Sequence, residues 1–263
     1  MEKLEITIKQ KENEPAPPAT ACKRCGKPAE PKFIALLGWR QQDHCDLCQK
    51  IISDELEKKA REESRKNKTT ILLGQSGLGK ELLMRMTFDS YEPQYRGNAY
   101  DVAKEYAEKF GIEIAKGLLF YGRAGSGKTH LACSIARYLI EQKQIGVKFV
   151  RIVDLLSDIR RTFDENENYR TENESELIGK YTKAPLLILD DLGSEKTTDW
   201  VRQILYQIID ERWLEQMPII ITSNLTLNEL DGRLEERITS RIAGMCQRVE
   251  MRDHDYRIKK PTP

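Results

Sequence analysis

The stretch GLLFYGRAGSGKTHL, Gly117–Leu131, constrains this chain more than any other. An apolar run stops at a glycine loop, and the loop closes on Gly127-Lys128-Thr129. A helical pattern follows at once, with Leu131, Ile135 and Leu139 on one side. Gly122–Thr129 satisfies GxxxxGK[ST] at every position. In such a loop the glycines let successive backbone N–H groups curl around one anion, at the positive end of a helix. Lys128 adds a cation for β- and γ-phosphates, and Thr129 a hydroxyl for Mg²⁺. The segment therefore predicts a strand, Gly117–Tyr121, a phosphate-binding loop and a helix, Thr129–Gln142, around bound ATP. The residues expected to hold the nucleotide are Gly122, Arg123, Ala124, Gly125, Ser126, Gly127, Lys128, Thr129 and His130.

A second stretch imitates the first. TTILLGQSGLGKELL, Thr69–Leu83, also runs from apolar residues through glycines to Gly79-Lys80. It fails at Glu81, where a carboxylate replaces the metal-binding hydroxyl in a site that should attract anions. The helical pattern after it is cut short by Pro93. One nucleotide site is expected, at Lys128.

Beyond Gly117 apolar strands alternate with helical patterns. Strands are expected at Val147–Ile152, Pro185–Leu189, Pro218–Thr222 and Arg248–Met251, and helices at Asp154–Phe163 and Trp200–Trp213. Asp164–Glu176 reads as a polar connection. Fully apolar strands between helices mean a parallel sheet covered on both faces, an α/β fold. The third strand, LLILDDLG, ends in two acids. Asp190 is placed to orient Mg²⁺, and Asp191 to polarise an attacking water. The next strand, PIIITSN, ends in Asn224, whose amide can reach the γ-phosphate or that water.

The amino-terminal part is different in kind. A proline-containing polar lead-in, Lys11–Thr20, precedes Cys22-Lys-Arg-Cys25 and Cys45-Asp-Leu-Cys48. Two CxxC turns at this spacing offer four thiolates to one Zn²⁺ and leave no open position for catalysis. Redox use explains two such pairs less well than one. Phe33, Ile34, Leu36, Leu37 and Trp39 lie between the knuckles, some to pack the module and the rest free for a partner. Ser53–Lys68 is densely charged, with i,i+4 pairs such as Glu55–Lys59 and Glu57–Arg61, and reads as a solvated helix. The formal net charge of +1 gives no overall basic field, so any nucleic-acid contact has to be local. No apolar run approaches a membrane span and Met1–Gln10 has no signal-peptide pattern, so a soluble, cytoplasmic protein is expected.

The segments LLFYGRAGSGKTHLA, LLILDDLGSEKTTDWVRQILYQIIDERW, MPIIITSNL and ERITSRIAG together resemble the AAA+ ATPases of the bacterial helicase-loader group, the DnaC/DnaI and IstB proteins. The resemblance runs over about Thr69–Arg257. It implies a five-stranded parallel sheet with the phosphate-loop strand central and no helical lid, in line with a chain ending soon after its last strand. It also explains the look-alike loop. SGLGKELLMRMTFDSYEP resembles the stretch that leads into the ATPase core, with Thr87–Tyr91 near the adenine. By the same resemblance Asn224 is a sensor, and Arg241, with Arg237 second, is the arginine sent into a neighbouring subunit's site. Tyr256-Arg257 matches the group's closing DYR. Single-stranded DNA contacts are expected near the helix after the second strand, with Arg160, Arg161 and Lys148 as candidates against the acidic 164–176 stretch.

The resulting expectation is an AAA+ P-loop ATPase that loads a DnaB-type replicative helicase hexamer onto single-stranded DNA and self-assembles through its ATPase domain. Residues 1–52 form a zinc-binding partner-contact module, 53–86 a charged helical linker and lead-in, and 87–263 the ATPase domain. Whether the zinc module also touches DNA stays open. The rivals are an IstB-type transposition helper and an ATP-switched adaptor with little hydrolysis.

Overall fold

The structure, a computed structural model, describes residues 14–35, 37–92, 97–112, 116–162 and 173–251. The expectations placed on Met1–Gln10, Leu36, Pro93, Phe163, residues 164–172 and Tyr256-Arg257 lie outside them. The chain divides into two compact units between Lys66 and Asn67.

In the first unit, β1 (Thr20–Ala21) pairs with β2 (Pro28–Ala29), and β3 (Lys32–Ile34) with β4 (Gly38–Arg40), both antiparallel. The second hairpin sets Phe33 opposite Trp39, ring edge to face at 5.6 Å. Ile34 and Leu37 stay exposed. Among the described residues the unit's buried core is Cys22, Ala29 and Cys48, with Cys45 against it. A core this small cannot stabilise a fold by burial alone. Helix α1 (Asp46–Gln75) is much longer than the expected Ser53–Lys68. It begins inside the second CxxC and runs on through TTILL, because after its start no proline and no positive-φ glycine occurs before Gly77.

The second unit is a five-stranded parallel sheet between two helical layers. Its strands are β5 (Gly117–Gly122), β6 (Val147–Arg151), β7 (Leu186–Asp190), β8 (Ile219–Ser223) and β9 (Cys246–Met251), in the order β6-β7-β8-β5-β9. The phosphate-loop strand β5 is therefore one in from an edge. The central position belongs to β8, because only β9 lies beyond β5. Strand side chains alternate between faces, and the two cores divide accordingly. Leu119, Leu187, Leu189, Ile219 and Ile221 enter one core. Leu118, Phe120, Leu186, Ile188 and Ile220 enter the other.

The second core is covered by α3 (Asn98–Lys109) and α4 (Lys128–Lys143). The first is covered by α5 (Ile152–Arg161), α6 (Glu174–Thr182), α7 (Asp199–Leu214), α8 (Leu227–Leu234) and α9 (Glu236–Met245). Helix α6 corrects the reading of Asp164–Glu176 as connection up to its end. Asn173 accepts from Glu176 N while the Glu176 carboxylate accepts from Asn173 N, a capping box that starts a helix within the polar run. The fully buried Arg212 of α7 donates to the carbonyls of Tyr181, Thr182 and Ala184 at 2.8–2.9 Å, and to that of Pro218. It thereby ties the end of α6 to the starts of β7 and β8.

The look-alike loop is a splice. An α-helix, not a strand, precedes it, and the short α2 (Glu81–Arg85) follows. Phe149 N of the edge strand β6 donates to Ser76 O at 2.7 Å, and Leu78 is fully buried in the second core. Gly77 sits at φ +81°, and a Cβ there would lie 2.1 Å from the Phe149 carbonyl oxygen. The glycine is needed for close approach to the sheet edge and not for an anion.

Candidate nucleotide site and cysteine centre

Strands β5, β7 and β8 bring their C-terminal ends together because they are parallel neighbours, and the polar residues of the motifs sit there. Gly127, at φ +91°, starts α4, and a Cβ would meet the Tyr91 hydroxyl at 2.9 Å. Lys128 folds back so that Nζ donates to the carbonyls of Gly122 and Arg123 at 2.7 Å and to Asn224 Oδ1 at 2.9 Å. Asn224 Nδ2 in turn donates to Asp191 Oδ1 at 2.9 Å. Thr129 Oγ1 donates to Asp190 Oδ1 at 2.8 Å. Lysine, amide and both carboxylates thus form one connected polar set around the loop.

Thr222 completes the set, and the motif reading missed it. Its hydroxyl donates to Asp190 Oδ1 at 2.7 Å and accepts from Asp191 N at 2.9 Å. It locks the acid pair, with Asp191 held at φ +63°, a conformation that costs most residues energy. Its only sequence signal is being the last inward-pointing residue but one of an apolar strand. Burial raises the Asp190 pKa. The Thr222 and Thr129 hydroxyls work against that, and the charge of Asp191 adds to it.

The cleft beside this set has a volume of about 590 Å³, within the usual ligand-pocket range. One wall is apolar, made by Leu82, Leu83, Met86 and Tyr91 of the lead-in segment. His130 Nε2 lies 2.9 Å from Thr87 O and 3.2 Å from Ser90 Oγ, with its ring edge on Tyr91 at 5.1 Å. Burial lowers the His130 pKa. The lead-in thus furnishes the wall facing the loop, and the look-alike's Lys80 lines the same cleft instead of a second one. Thr129 and Asp190 offer two hard oxygens side by side, which suits Mg²⁺. The loop, the apolar wall and this oxygen pair fit a magnesium nucleotide.

Arg237 and Arg241 do not line the cleft. Both guanidinium groups stack on Tyr206, at 4.3 and 4.8 Å from the ring centre. Arg241 pairs with Asp210 and donates to Arg237 O at 2.9 Å and Tyr206 Oη at 3.0 Å, whereas Arg237 pairs with Glu235 at 2.8 Å. Among the DNA candidates, Arg160 lies over Trp200 at 5.1 Å, Arg161 pairs with Asp158 at 3.3 Å, and Lys148 donates to Gln75 O.

In the first unit the sulfurs of Cys22, Cys25, Cys45 and Cys48 all lie within 4.8 Å of one another. Tetrahedral Zn–S bonds of about 2.3 Å need sulfurs about 3.8 Å apart, so the cluster fits a metal. Although burial opposes it, backbone amides of Cys45, Arg24 and Cys25 bring the Cys22 pKa down to about 5. The other cysteines, Cys25 first, together with burial push Cys48 up to about 12. Four thiols crowded this closely cannot all ionise unless a cation sits among them.

The family described as "IstB-like ATP binding protein" matches residues 57–262. The replicative helicase loader DnaC of Buchnera aphidicola subsp. Schizaphis graminum is 32% identical over 218 residues, 81% of this chain and 82% of the relative. DnaC of Escherichia coli K12 is 28% identical over 218 residues, 82% of each. Among solved structures, the DnaC helicase loader superposes with a TM-score of 0.56 at 28% identity, over 66% of this chain and all of the other. DnaI gives 0.55 at 25%, over 67% and 96%. AMPPCP-bound DnaA of Aquifex aeolicus, at 24% identity and a TM-score of 0.52 over 64% of this chain and 50% of the other, shares the fold. Among the described residues no helix is long and apolar enough to cross a membrane.

Proposed function

We propose that this chain, which belongs to the IstB-like ATP-binding family, is an ATP-dependent loader of a hexameric DnaB-type replicative helicase. The observation that carries the proposal is the connected set Lys128–Asn224–Asp191 and Thr129–Asp190 at a complete phosphate loop. It occurs in a chain whose relatives over four-fifths of its length are named replicative helicase loaders.

The loop Gly122–His130 holds the triphosphate, with Lys128 exchanging its carbonyl partners for phosphate oxygens. Tyr91 and the apolar wall hold the base. Mg²⁺, when bound, neutralises phosphate charge. Thr129 and Asp190 are its holders. Asn224 fixes the Asp191 carboxylate through Oδ1, which leaves Oδ2 to accept a proton from the attacking water. Arg241, with Arg237 second, completes the site of an adjacent copy. To do so Arg241 has to exchange Asp210, Tyr206 and the Arg237 carbonyl, and Arg237 has to leave Glu235 and the Tyr206 ring. The cysteine module, residues 1–52 with Zn²⁺, grips the helicase, 53–86 connects it, and the ATPase domain, 87–263, holds single-stranded DNA. Hydrolysis then releases the loader.

The test is helicase loading onto a single-stranded circle, with ATP turnover measured in parallel. Lys128→Ala should abolish both, and Lys80→Ala should leave both within about threefold, as expected for an exposed ion pair. Turnover without loading, and with binding to duplex DNA and a transposase, would favour the transposition-helper reading.

A further inference from the structure

The cleft carries a cation that the motifs do not announce. Arg151 is the last residue of β6, and the register sets it opposite Asp190. It lines the cleft with Asp190, Asp191 and Asn224. Its guanidinium is fixed from behind: Nε donates to Asp154 Oδ2 and Nη2 to Asp154 Oδ1, both at 2.7 Å. Asp154 lies in the first turn of α5, so the strand-to-helix turn itself builds this two-point pair.

Two-point pairing on the Nε edge has a geometric consequence. A guanidinium is a rigid plane with five donors, and this pair uses those on one side. Nη1 has no partner among the described residues and lies on the edge away from Asp154. The arrangement keeps a charged donor oriented without consuming it. Lys80 approaches Asp154 from elsewhere at 3.6 Å, so one carboxylate balances two cations and the trio stays net positive. The Asp154 pair, with the charges of Asp190 and Asp191, raises the Arg151 pKa, which keeps the group cationic.

Position assigns the partner. Among the described lining residues, the cations Lys80, Lys128 and Arg151 face the acids Glu92, Asp190 and Asp191. Lys128 serves the loop, and Arg151 stands beside the acid that meets Thr129. We infer that Arg151, oriented by Asp154, contacts the terminal phosphate of a bound nucleoside triphosphate within the same chain and makes the site favour triphosphate over diphosphate. This rests on the ATP-site reading above. The expected contribution is that of a charge-assisted hydrogen bond, about tenfold to a hundredfold in affinity.

The test is titration of the full chain with a non-hydrolysable ATP analogue and with ADP, both with Mg²⁺. The variants are Arg151→Gln, Arg151→Lys and Asp154→Asn, and Lys128→Ala is the control. Arg151 and Asp154 are part-exposed, and matching circular-dichroism melts will show that the variants fold. Arg151→Gln should weaken the analogue about tenfold or more and ADP less than about twofold. Arg151→Lys should recover part of the loss, and Asp154→Asn should show a smaller loss with the same selectivity. Equal losses for both nucleotides, or unchanged binding with loss of turnover alone, would overturn the inference and leave the ATP site standing. A wild-type chain that bound neither nucleotide would overturn both.

Discussion

Thr222→Val removes a hydroxyl and keeps the shape of the side chain, so its consequences can be worked from two hydrogen bonds. The variant leaves the Asp191 amide without its acceptor and takes from Asp190 one of its two hydroxyl donors. Orphaning a buried amide costs about 1–3 kcal/mol, and losing a hydrogen bond to a charged acceptor about 1.5–3 kcal/mol. Valine's preference for a strand returns less than about 1 kcal/mol. The expected net loss near pH 7 is therefore about 3 kcal/mol. Its pH dependence follows from Asp190, whose folded pKa already lies above 3.8 through burial. A raised carboxyl pKa means that the native state binds the proton more tightly than the unfolded chain does. Stability from this group accordingly falls as pH rises from 3.8 through the folded pKa. Removing a donor raises the folded pKa further, so the penalty of the variant should grow with pH over that window. At and below pH 3.8 only the orphan amide should remain, at about 1–2 kcal/mol. Urea unfolding without Mg²⁺ or nucleotide, in a Trp39→Phe background, lets Trp200 and Trp213 report on the ATPase unit alone. A loss that did not change between pH 4 and pH 7.5, or that stayed below about 1 kcal/mol at pH 7.5, would refute the reasoning.

Two further outcomes are expected. Gly77→Ala should destabilise the ATPase unit by about 3 kcal/mol in urea unfolding, because the new Cβ meets the Phe149 carbonyl at a positive φ; Gly74→Ala, in open space within α1, should be neutral or stabilising, and neither should change the nucleotide affinity of folded protein. Metal analysis should find about one zinc per chain and lose it in Cys48→Ser; chelation should remove the ordered NMR signals of Phe33 and Trp39 while leaving the thermal transition of the ATPase unit in place.

How much of this was legible in the sequence depended on how local the cause was. The phosphate loop, the acid pair and the four cysteines were readable because each site is built from a short stretch with its own turn or strand end. Glu81 identified the look-alike as no phosphate site, but its true use, fastening Gly77 and Leu78 to the β6 edge, depends on a strand about 70 residues away. The helix was expected only over Ser53–Lys68 because the apolar run TTILL carries no period of its own; continuity with the charged helix before it extends α1 to Gln75. Helix α6 was hidden in a polar run, where only the Asn173–Glu176 box announced it. Thr222 and Arg151 were invisible for a different reason. A strand-end threonine or arginine acquires meaning only from its neighbours in the sheet, and the order β6-β7-β8-β5-β9 is what sets both beside Asp190.

The most direct test of the central claim is light scattering on a size-exclusion column. The full chain would be mixed with a hexameric replicative helicase, with and without ATP, beside the Cys45→Ser/Cys48→Ser variant. The account predicts a stable complex whose stoichiometry depends on ATP and which the variant fails to form while its ATPase unit stays folded. Absence of a complex under every nucleotide condition, from a protein that still binds ATP, would contradict it.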